Sequence, residues 1–218
     1  SGDATGFGVS GSAFLKLSDE TKIGLSIRSG TSYEYDDGEI SYTNIPLSQD
    51  EFYPTSASAT STMQTPASLN LGVAHQISRD LMITVELQYE MWSGVDSIAI
   101  EASETPSLSY GIGTEYENTF SLSAGAEYTV SDAIGVRAGV GYELTPVQDD
   151  YLDPRFPGAD RYVFAAGGSF RTGESMLIDV VYMLENYTER ESLNKNYNFR
   201  ATYKTFRNFI GIGLTYEF

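Results

Sequence analysis

The sequence predicts an all-β fold, an antiparallel transmembrane β-barrel, and three observations lead to this prediction. Apolar and polar residues alternate with a period of two along almost the whole chain. Short polar turns alternate with long loops between the segments that show this alternation. Aromatic residues lie at both ends of the apolar faces of these segments. Outer-membrane barrels combine all three features, because each strand turns one face to lipid and the other to a lumen.

The alternation places two sets of residues on opposite faces of each segment. Every even position from Ile134 to Leu144 is apolar or aromatic, whereas the odd positions between them hold Gly, Arg and Glu. A helix would scatter these sets around its circumference, whereas a strand separates them. No segment shows a convincing helical period. We therefore predict nine strands, near residues 4–18, 21–36, 66–78, 81–101, 115–130, 133–147, 161–172, 175–190 and 197–218.

The connections between the predicted strands alternate in length. Tight polar turns occupy residues 18–21, 78–80, 131–133 and 172–175, and long links lie near 37–65, 102–114, 148–160 and 191–196. This is the arrangement of an outer-membrane barrel. The alternative is a soluble antiparallel sandwich or barrel, whose strands also alternate. The polar faces argue against it, because they are rich in Gly and Ser and carry charges on most strands.

Aromatic side chains on the apolar faces form two belts. Those toward the long-loop ends are Tyr33, Tyr89, Tyr116, Tyr142, Tyr162 and Tyr182. Those toward the short-turn ends are Tyr128, Phe170, Tyr216 and Phe218. A ring with a polar tip is favoured at a membrane–water interface. The two belts therefore indicate the two interfaces of a membrane.

The composition excludes several classes of protein and site. The 218 residues include no run of 18 apolar residues, which excludes a transmembrane helix, and they include no cysteine and one histidine, His75. Disulfides, thiolate metal sites and thiol catalysis are therefore excluded, and a histidine-based zinc site is nearly so. We predict no cofactor and no metal. The net charge of −17 argues against nucleic acid as a partner, because phosphate repels such a surface.

The last six residues have the pattern of an assembly signal. A glycine, two aromatics at alternate positions and a final phenylalanine close the chain, at Gly213, Tyr216 and Phe218. The machinery that inserts outer-membrane barrels recognises such a strand by edge pairing, a form of β-augmentation. The alternative is an ordinary amphipathic strand that ends in Phe. Together with the alternating loops, the pattern favours the assembly signal.

Ten short sequence features follow one another along the chain. They are Gly-Phe-Gly at 6–8, Ser-Ile-Arg-Ser at 26–29, Pro66, Ser-Arg-Asp at 78–80, Tyr-Glu-Met-Trp-Ser at 89–93, Arg-Ala-Gly at 137–139, Thr-Pro-Val at 145–147, Pro-Gly-Ala-Asp-Arg-Tyr at 157–162, Asp179 and the final Tyr-x-Phe. Each feature is weak alone, but in their order and spacing they together resemble the long-chain fatty acid transporter (FadL/TodX) family of outer-membrane proteins along essentially the whole chain.

The resemblance implies a fourteen-stranded barrel of the bacterial outer membrane, with an N-terminal hatch that plugs the lumen. It implies a passive channel in which hydrophobic molecules, long-chain fatty acids or hydrocarbons, bind inside and leave sideways into the membrane. The nine predicted strands match the family's last nine, so residues 1–218 are expected to be a barrel portion that lacks the hatch and early strands. The odd strand count agrees, because closed single-chain bacterial barrels have even counts and open edges in lipid are very unfavourable. No signal peptide is visible before the first strand pattern.

Charged residues with inward parity are the candidate substrate-binding residues. They are Arg28, Glu86, Glu90, Glu127, Arg137, Glu143, Arg161, Arg171, Asp179 and Arg207. A fatty acid needs an apolar groove for its tail and a cation for its carboxylate. The candidates for that cation are Arg137 and Arg161, on adjacent strands near the outer half, and Arg28. Alternatively, the arginines pair with Glu127, Glu143 or Asp179 within the wall.

Trp92 and His75 are two isolated side chains that bear on function. Trp92 has inward parity and is a candidate for lining the substrate groove, although we favour packing beneath an outer loop. His75 has lipid-facing parity near a tight turn, and outer-membrane lipases place a catalytic His and Ser on that face. No Ser partner is evident at a matching position, so we predict no enzyme.

The predicted outer loops carry clusters of acidic residues. Acidic clusters at 36–39, 50–51 and 149–153 could hold Ca²⁺ or bridge to lipopolysaccharide through divalent ions, although solvated loops are the default interpretation.

The expected partners are a hydrophobic small molecule, outer-membrane lipid and lipopolysaccharide, and the barrel assembly machinery. The alternatives to a channel for hydrophobic molecules are a general porin for small polar solutes and a structural or adhesive barrel.

Overall fold

The chain is built from antiparallel strands joined by turns and loops. A computed structural model describes residues 2–44, 56–95, 97–102, 109–113, 115–154, 158–173, 175–195 and 198–216. Its strands are β1 (Ser10–Lys16), β2 (Thr21–Arg28), β3 (Thr31–Ser41), β4 (Ser56–Thr65), β5 (Ala67–Gln76), β6 (Leu81–Met91), β7 (Ser97–Ala102), β8 (Tyr110–Gly113), β9 (Thr119–Ser131), β10 (Ile134–Glu143), β11 (Arg161–Thr172), β12 (Met176–Tyr187), β13 (Arg190–Asn194), β14 (Phe199–Tyr203) and β15 (Phe206–Tyr216). None of the described helical turns is long and apolar enough to cross a membrane.

Nine of these strands form one continuous sheet, here called the main sheet. Its spatial order is β1-β2-β5-β6-β9-β10-β11-β12-β15. Every neighbouring pair is antiparallel. Each strand corresponds to one of the nine segments predicted from the alternation, so the predicted all-β antiparallel class is confirmed. Within the described residues, β1 and β15 each have a neighbour on one side only.

The remaining strands lie outside the main sheet and correct the predicted boundaries. A second sheet has the order β3-β4-β7-β8, and β13 pairs with β14. The predicted strands 21–36, 81–101, 175–190 and 197–218 are therefore each two strands or parts of two. The predicted links 37–65, 102–114 and 191–196 contain strands. The alternation missed β4 because its sequence, SASATSTMQT, is built mostly of small polar residues and alanine.

β2 and β6 each end at a local feature of the backbone, although the alternation of apolar and polar residues continues beyond them in the sequence. After β2 the chain turns at Gly30, where a Cβ would lie 2.9 Å from the carbonyl oxygen of Thr65. That distance is shorter than real Cβ contacts, so the two backbones can approach only because this residue is glycine. After β6 a single 3₁₀ turn, Trp92–Gly94, redirects the chain. A period of two is insensitive to such changes of sheet, because the face alternates on both sides of the bend.

The cross-strand register divides the main sheet into two faces. Directly opposed residues share a face, and Arg137 lies opposite Glu127 on β9 and Gly167 on β11. Gly167 lies opposite Val181, which lies opposite Gly211. All ten charged residues predicted to share a face do so when the register is followed across the sheet. We call this polar side the lumenal face and the apolar side the outer face.

The outer face is not a sealed core. Phe120, Ile134, Val136 and Leu214 are all exposed, from 41 % for Ile134 to 70 % for Leu214. Among the described residues, the buried apolar side chains lie outside the main sheet, at Ala57, Ala59, Val95, Ala102, Val147 and Leu152. A soluble sandwich would bury the face that carries its apolar side chains. The structure thus agrees with an apolar surface that meets lipid.

Serine side chains stabilise three of the four tight turns at one end of the main sheet. Ser18 Oγ accepts hydrogen bonds from the backbone N–H groups of Glu20 and Thr21, at 3.2 and 3.1 Å. Ser78 Oγ does the same two strands later, for Asp80 and Leu81 at 3.3 and 3.2 Å, and Ser131 Oγ accepts from the N–H of Ala133 at 3.3 Å. The turn after β11 instead contains Gly173, whose φ of 65° suits glycine. The predicted tight turns are therefore explained residue by residue.

Most rings of the predicted belts lie toward strand ends on the outer face, whereas Tyr182 lies near the middle of β12. At the long-loop ends, the rings of Tyr89 and Phe120 lie 4.8 Å apart, and those of Tyr142 and Tyr162 also lie 4.8 Å apart. At the other end, Tyr128, Phe170 and Tyr216 are exposed on the outer face. Phe218 lies outside the described residues.

Two tyrosines assigned to the belt lie elsewhere. Tyr33 belongs to the second sheet, on β3. Tyr116 precedes β9, and its ring meets that of Trp92. Parity failed at these two positions because neither residue lies in the main sheet.

An arginine placed in the middle of the outer face tests the assignment of the two faces. In the full-length protein, Val85→Arg is expected to lower the free energy of unfolding by about 2–4 kcal/mol, because the charge enters hydrocarbon. Urea titration in lipid vesicles measures this loss. The control is Ser123→Arg on the lumenal face, opposite Glu86, which we expect to cost far less. Equal losses for the two variants would contradict the assignment.

Candidate functional site

The lumenal face carries a three-residue ion cluster around Arg137. Arg137 Nε donates to Glu127 Oε2 at 2.9 Å, and Nη1 donates to Asp179 Oδ1 at 3.2 Å. Asp179 lies on β12, two strands from β10, so the guanidinium must cross β11 to reach it. The residue of β11 opposite Arg137 is Gly167, which has no side chain to block the crossing. We call these three charged residues the Arg137 cluster.

A shallow groove of about 540 Å³ lies beside the Arg137 cluster. The lumenal residues that line it are Arg137, Gly139, Ala165, Gly167, Asp179, Val181, Gly211 and Gly213. Four of them are glycines, so the floor is largely backbone and small apolar side chains. Gly167 is also required for strand packing, because a Cβ there would lie 2.7 Å from the carbonyl oxygen of Val180. The groove combines an apolar floor with charges at one end, as ligand pockets commonly do.

A second cluster joins four strands near the outer end of the lumenal face, and Tyr187 is at its centre. The Tyr187 hydroxyl accepts hydrogen bonds from Arg161 Nη1, at 3.1 Å, and from Arg207 Nη2, and it donates to Glu185 Oε2 at 2.8 Å. Arg207 Nε donates to the same Glu185 oxygen at 2.9 Å, and Arg161 Nη2 pairs with Glu143. Glu185 is buried, so its charge depends on these donors. We call this set the Tyr187 cluster.

Arg137 and Arg161 therefore meet carboxylates of their own wall. The structure places them beside Glu127, Asp179 and Glu143, the partners that the sequence offered as the alternative to a substrate carboxylate. The sequence did not indicate Tyr187 or Glu185. Their inward parity was available, but only the register brings Tyr187 between two arginines.

Arg28 and Trp92 line a larger groove of about 1260 Å³ on the lumenal face of β1, β2, β5 and β6. The Arg28 guanidinium has no hydrogen bond or ion pair with any residue that the structure describes. Trp92 Nε1 donates to Glu90 Oε2 at 3.1 Å, and its ring meets Tyr116 edge-on at 5.6 Å. Trp92 thus packs against the segment before β9 and also faces the groove.

Phe14 is a groove residue that the sequence analysis overlooked. It is directly opposite Gly24, which is opposite Gly72, so its ring stands beside a two-glycine floor. Phe14 is 72 % exposed although it lies on the polar face. Its even parity within residues 10–16, shared with two serines and a lysine, was the signal that could have identified it. An exposed aromatic ring in the lumen is a contact for an apolar ligand.

Arg190 organises the outer loop between β10 and β11. Its Nε and Nη2 donate to Asp149 Oδ1 at 2.9 and 2.6 Å, and it also donates to the carbonyl oxygens of Gly158 and Val147 at 2.6 and 2.8 Å. Only 14 % of the Arg190 side chain is exposed. Nearby, Lys195 pairs with Asp150, and that carboxylate raises the pKa of Lys195.

The acidic outer loops hold no metal cluster within the described ranges. Asp149 and Asp150 are engaged with Arg190 and Lys195. Asp153 is buried, and burial together with this carboxylate raises the pKa of the phenols of Tyr116 and Tyr203. The cluster at residues 50–51 lies outside the described residues.

His75 and the C-terminal strand occupy the positions that parity gave them. His75 Nδ1 lies 2.9 Å from Thr21 Oγ1, the residue opposite it on the outer face near the tight turns. Gly213 lies opposite Asp179, and Tyr216 lies on the outer face opposite Met176. The third residue of the expected assembly signal, Phe218, is not among the described residues.

Comparison with known proteins gives one family and a consistent set of relatives. A family model described as outer membrane protein transport protein (OMPP1/FadL/TodX) matches residues 1–218. A 47 kDa outer membrane protein of Pasteurella multocida is 22% identical over 226 residues, which cover 100% of this chain and 51% of the relative. Outer membrane protein P1 of Haemophilus influenzae is 20% identical, covering 99% of this chain and 48% of the relative. The chain thus spans about half the length of the curated relatives it matches.

Solved structures show the same fold. A Pseudomonas aeruginosa FadL homologue superimposes with a TM-score of 0.81 at 22% identity, covering 96% of this chain and 52% of the homologue. The toluene transporter TodX of Pseudomonas putida gives a TM-score of 0.62 at 19% identity, covering 98% of this chain and 49% of TodX. The main sheet is therefore a portion of an antiparallel transmembrane β-barrel.

Removing the Tyr187 hydroxyl tests the Tyr187 cluster. Tyr187→Phe is expected to lower the free energy of unfolding by about 1–3 kcal/mol, because the buried Glu185 loses a donor and two guanidiniums lose an acceptor. Urea unfolding of the full-length protein in vesicles measures the change. Tyr182→Phe is the matched control, since its hydroxyl donates to Asn208 on the exposed outer face. A Tyr187→Phe variant as stable as this control would contradict the cluster's role.

Arginine removal in the outer loop tests the role of Arg190. Arg190→Ala is expected to speed protease cleavage within residues 145–160 by about tenfold or more, because several charge-assisted hydrogen bonds are lost. Timed proteolysis of intact cells, read by mass spectrometry, measures the rate. Arg200→Ala is the control, because Arg200 and its partner Glu191 are 67% and 60% exposed and such pairs contribute little. Unchanged cleavage in Arg190→Ala would rule out the proposed role.

Proposed function

We propose that this chain, which belongs to the outer membrane protein transport protein (OMPP1/FadL/TodX) family, forms part of a passive channel for hydrophobic molecules. The relatives are named outer membrane proteins, and the chain is located in the bacterial outer membrane. The observation that carries the proposal is the groove beside the Arg137 cluster. It supplies an apolar floor inside the lumen, where a channel for polar solutes would need a hydrated surface instead.

The mechanism follows from the two grooves on the lumenal face. The larger groove offers the ring of Phe14 and the ring of Trp92 for capture of an apolar molecule. The smaller groove lies on the lumenal face of β10, β11, β12 and β15 and offers a shallow apolar surface along which the molecule can move. Passage between apolar surfaces needs no energy source, because the substrate moves down its concentration gradient. Arg28, Trp92, Arg137 and Arg161 remain the proposed residues that line or flank this path.

The whole channel requires more of the barrel than the main sheet. We place an N-terminal hatch and further strands in the part of the protein that its relatives have beyond this match. Support comes from β1 and β15, each of which has a neighbouring strand on one side only within the described residues. Such an edge in hydrocarbon leaves N–H and C=O groups unpaired, which is costly. With five more strands the barrel would have fourteen, an even number.

The proposed partners follow from the same surfaces. The exposed outer face is expected to contact outer-membrane lipid, and the outer loops to contact lipopolysaccharide. Tyr216 on the edge strand β15, with Gly213 and Phe218, is proposed as the signal read by the barrel assembly machinery. Among the solved relatives are a toluene transporter and a monoaromatic hydrocarbon channel. These names support a transport function without enzymatic chemistry.

Two alternatives remain in view. A general porin would conduct ions through an open aqueous pore. The arginines of the Arg137 and Tyr187 clusters argue against it, because they are paired with carboxylates and are therefore not available to attract a passing anion. A structural or adhesive barrel would confine function to the loops and would leave the lumenal grooves without a role.

A bulky side chain in the smaller groove tests the proposal. We compare uptake of radiolabelled toluene and oleate by cells with and without the gene, and we expect the gene to raise uptake of at least one of them. Ala165→Phe should return uptake to the level of cells without the gene, because the ring fills the groove. Ala166→Phe, the next residue on β11, turns the same ring to lipid and should transport normally. Equal uptake with and without the gene would eliminate the channel function.

A further inference from the structure

We infer that the lumen of this protein selects uncharged hydrophobic molecules and excludes fatty acid anions, and that Glu127 and Asp179 set this selectivity. The inference rests on the proposed channel function and narrows its substrate class. It comes from the charges that flank the smaller groove. These charges determine what a ligand lying in the groove would meet at its polar end.

The cation at the end of the groove is already neutralised. Arg137 has two carboxylate partners, Glu127 at 2.9 Å and Asp179 at 3.2 Å, so the Arg137 cluster has a net charge of −1. An incoming carboxylate would have to displace one of these partners and would then face the other. Like charges at such distances disfavour each other, most of all away from bulk water. The groove therefore holds no vacant cation for a fatty acid head group.

An uncharged ligand meets no such obstacle. Apart from Arg137 and Asp179, the residues that line the groove are glycine, alanine, valine and isoleucine. Apolar surface of a hydrocarbon is stabilised there by leaving water, and no buried polar group is left unpaired. The volume of about 540 Å³ suits a small molecule. The lining residues and the volume of the smaller groove thus both favour an uncharged ligand.

The same charge balance extends along the path. In the Tyr187 cluster, the two guanidiniums are matched by Glu143 and Glu185. The net charge of the chain is −17, which lowers the local concentration of anions at the outer mouth.

Of the two cations that line the grooves, Arg137 and Arg28, Arg28 is the one that the described residues leave without a partner. It shares the larger groove with two carboxylates, Glu86 and Glu90, so the charged lining of that groove is also net negative. An anion that binds at Arg28 would meet repulsion from both. If the lumen did accept a fatty acid anion, Arg28 would be the side chain to bind its carboxylate. A substitution of Arg28 therefore tests the inference directly.

Uptake of one neutral and one anionic probe tests the selectivity. Cells that lack any member of this family are supplied with the full-length protein and given radiolabelled toluene or oleate. We expect the protein to raise toluene uptake and to leave oleate uptake at the level of empty cells. The double variant Glu127→Gln/Asp179→Asn frees Arg137 and should raise oleate uptake by about tenfold, the factor expected from one recovered charge-assisted hydrogen bond.

A matched control separates the Arg137 cluster from the general negative charge of the protein. Glu191→Gln also removes one negative charge, but Glu191 pairs with Arg200 and lines neither groove, so oleate uptake should not change. Toluene uptake by the double variant shows that it is folded. If the double variant has lost toluene uptake, the single variant Asp179→Asn is tested instead. It retains the ion pair between Arg137 and Glu127, and we expect it to raise oleate uptake by a smaller factor.

The outcomes distinguish this inference from the proposed function. Transport of oleate by the unmodified protein would overturn the selectivity while supporting the channel, and loss of that transport in Arg28→Gln would locate the head-group site. A folded double variant that gains no oleate uptake would overturn the role of Glu127 and Asp179. Absence of uptake for both probes in the unmodified protein would overturn the channel and the selectivity together.

Discussion

Hydrogen bonding of the backbone within hydrocarbon is the constraint on which this structure depends. Lipid offers no partner for an N–H or C=O group, so every strand in the membrane must be paired with its neighbours. Pairing fixes which residues oppose each other, and opposition fixes the face on which each side chain lies. The apolar belt, the lumenal charges and both grooves follow from that assignment. A shift of register by one residue would turn Arg137 and Asp179 toward lipid.

Much of this architecture could be predicted because the period of two is a local property of the sequence. Nine strands, their order along the chain and the face of every lumenal charge follow from parity alone. Parity does not reveal a change of sheet, which is why β3 and β7 were merged with the strands before them. It also does not reveal β4, whose small polar residues and alanines carry too little hydrophobic contrast.

The contacts within the site were predictable only in part. Sequence reasoning gave the possible partners of Arg137 and Arg161, since opposite charges on one face are few. It could not decide whether these arginines pair with carboxylates of the barrel wall or with the carboxylate of a substrate, because the answer depends on which residues lie opposite one another. Gly167 illustrates the point: its missing side chain lets Arg137 reach across a strand to Asp179. Arg190 was overlooked because its partners lie about forty positions away.

The Tyr187 cluster has a mechanical consequence for the last strand. Within the described residues, β15 is paired along one edge, with β12. Arg207 on β15 adds a side-chain tether to Tyr187 and Glu185, which are in turn bonded to Arg161 on β11. The outer end of β15 is therefore connected to β12, β11 and β10 through side chains as well as through the backbone. Force applied to that end of the strand would be shared among four strands.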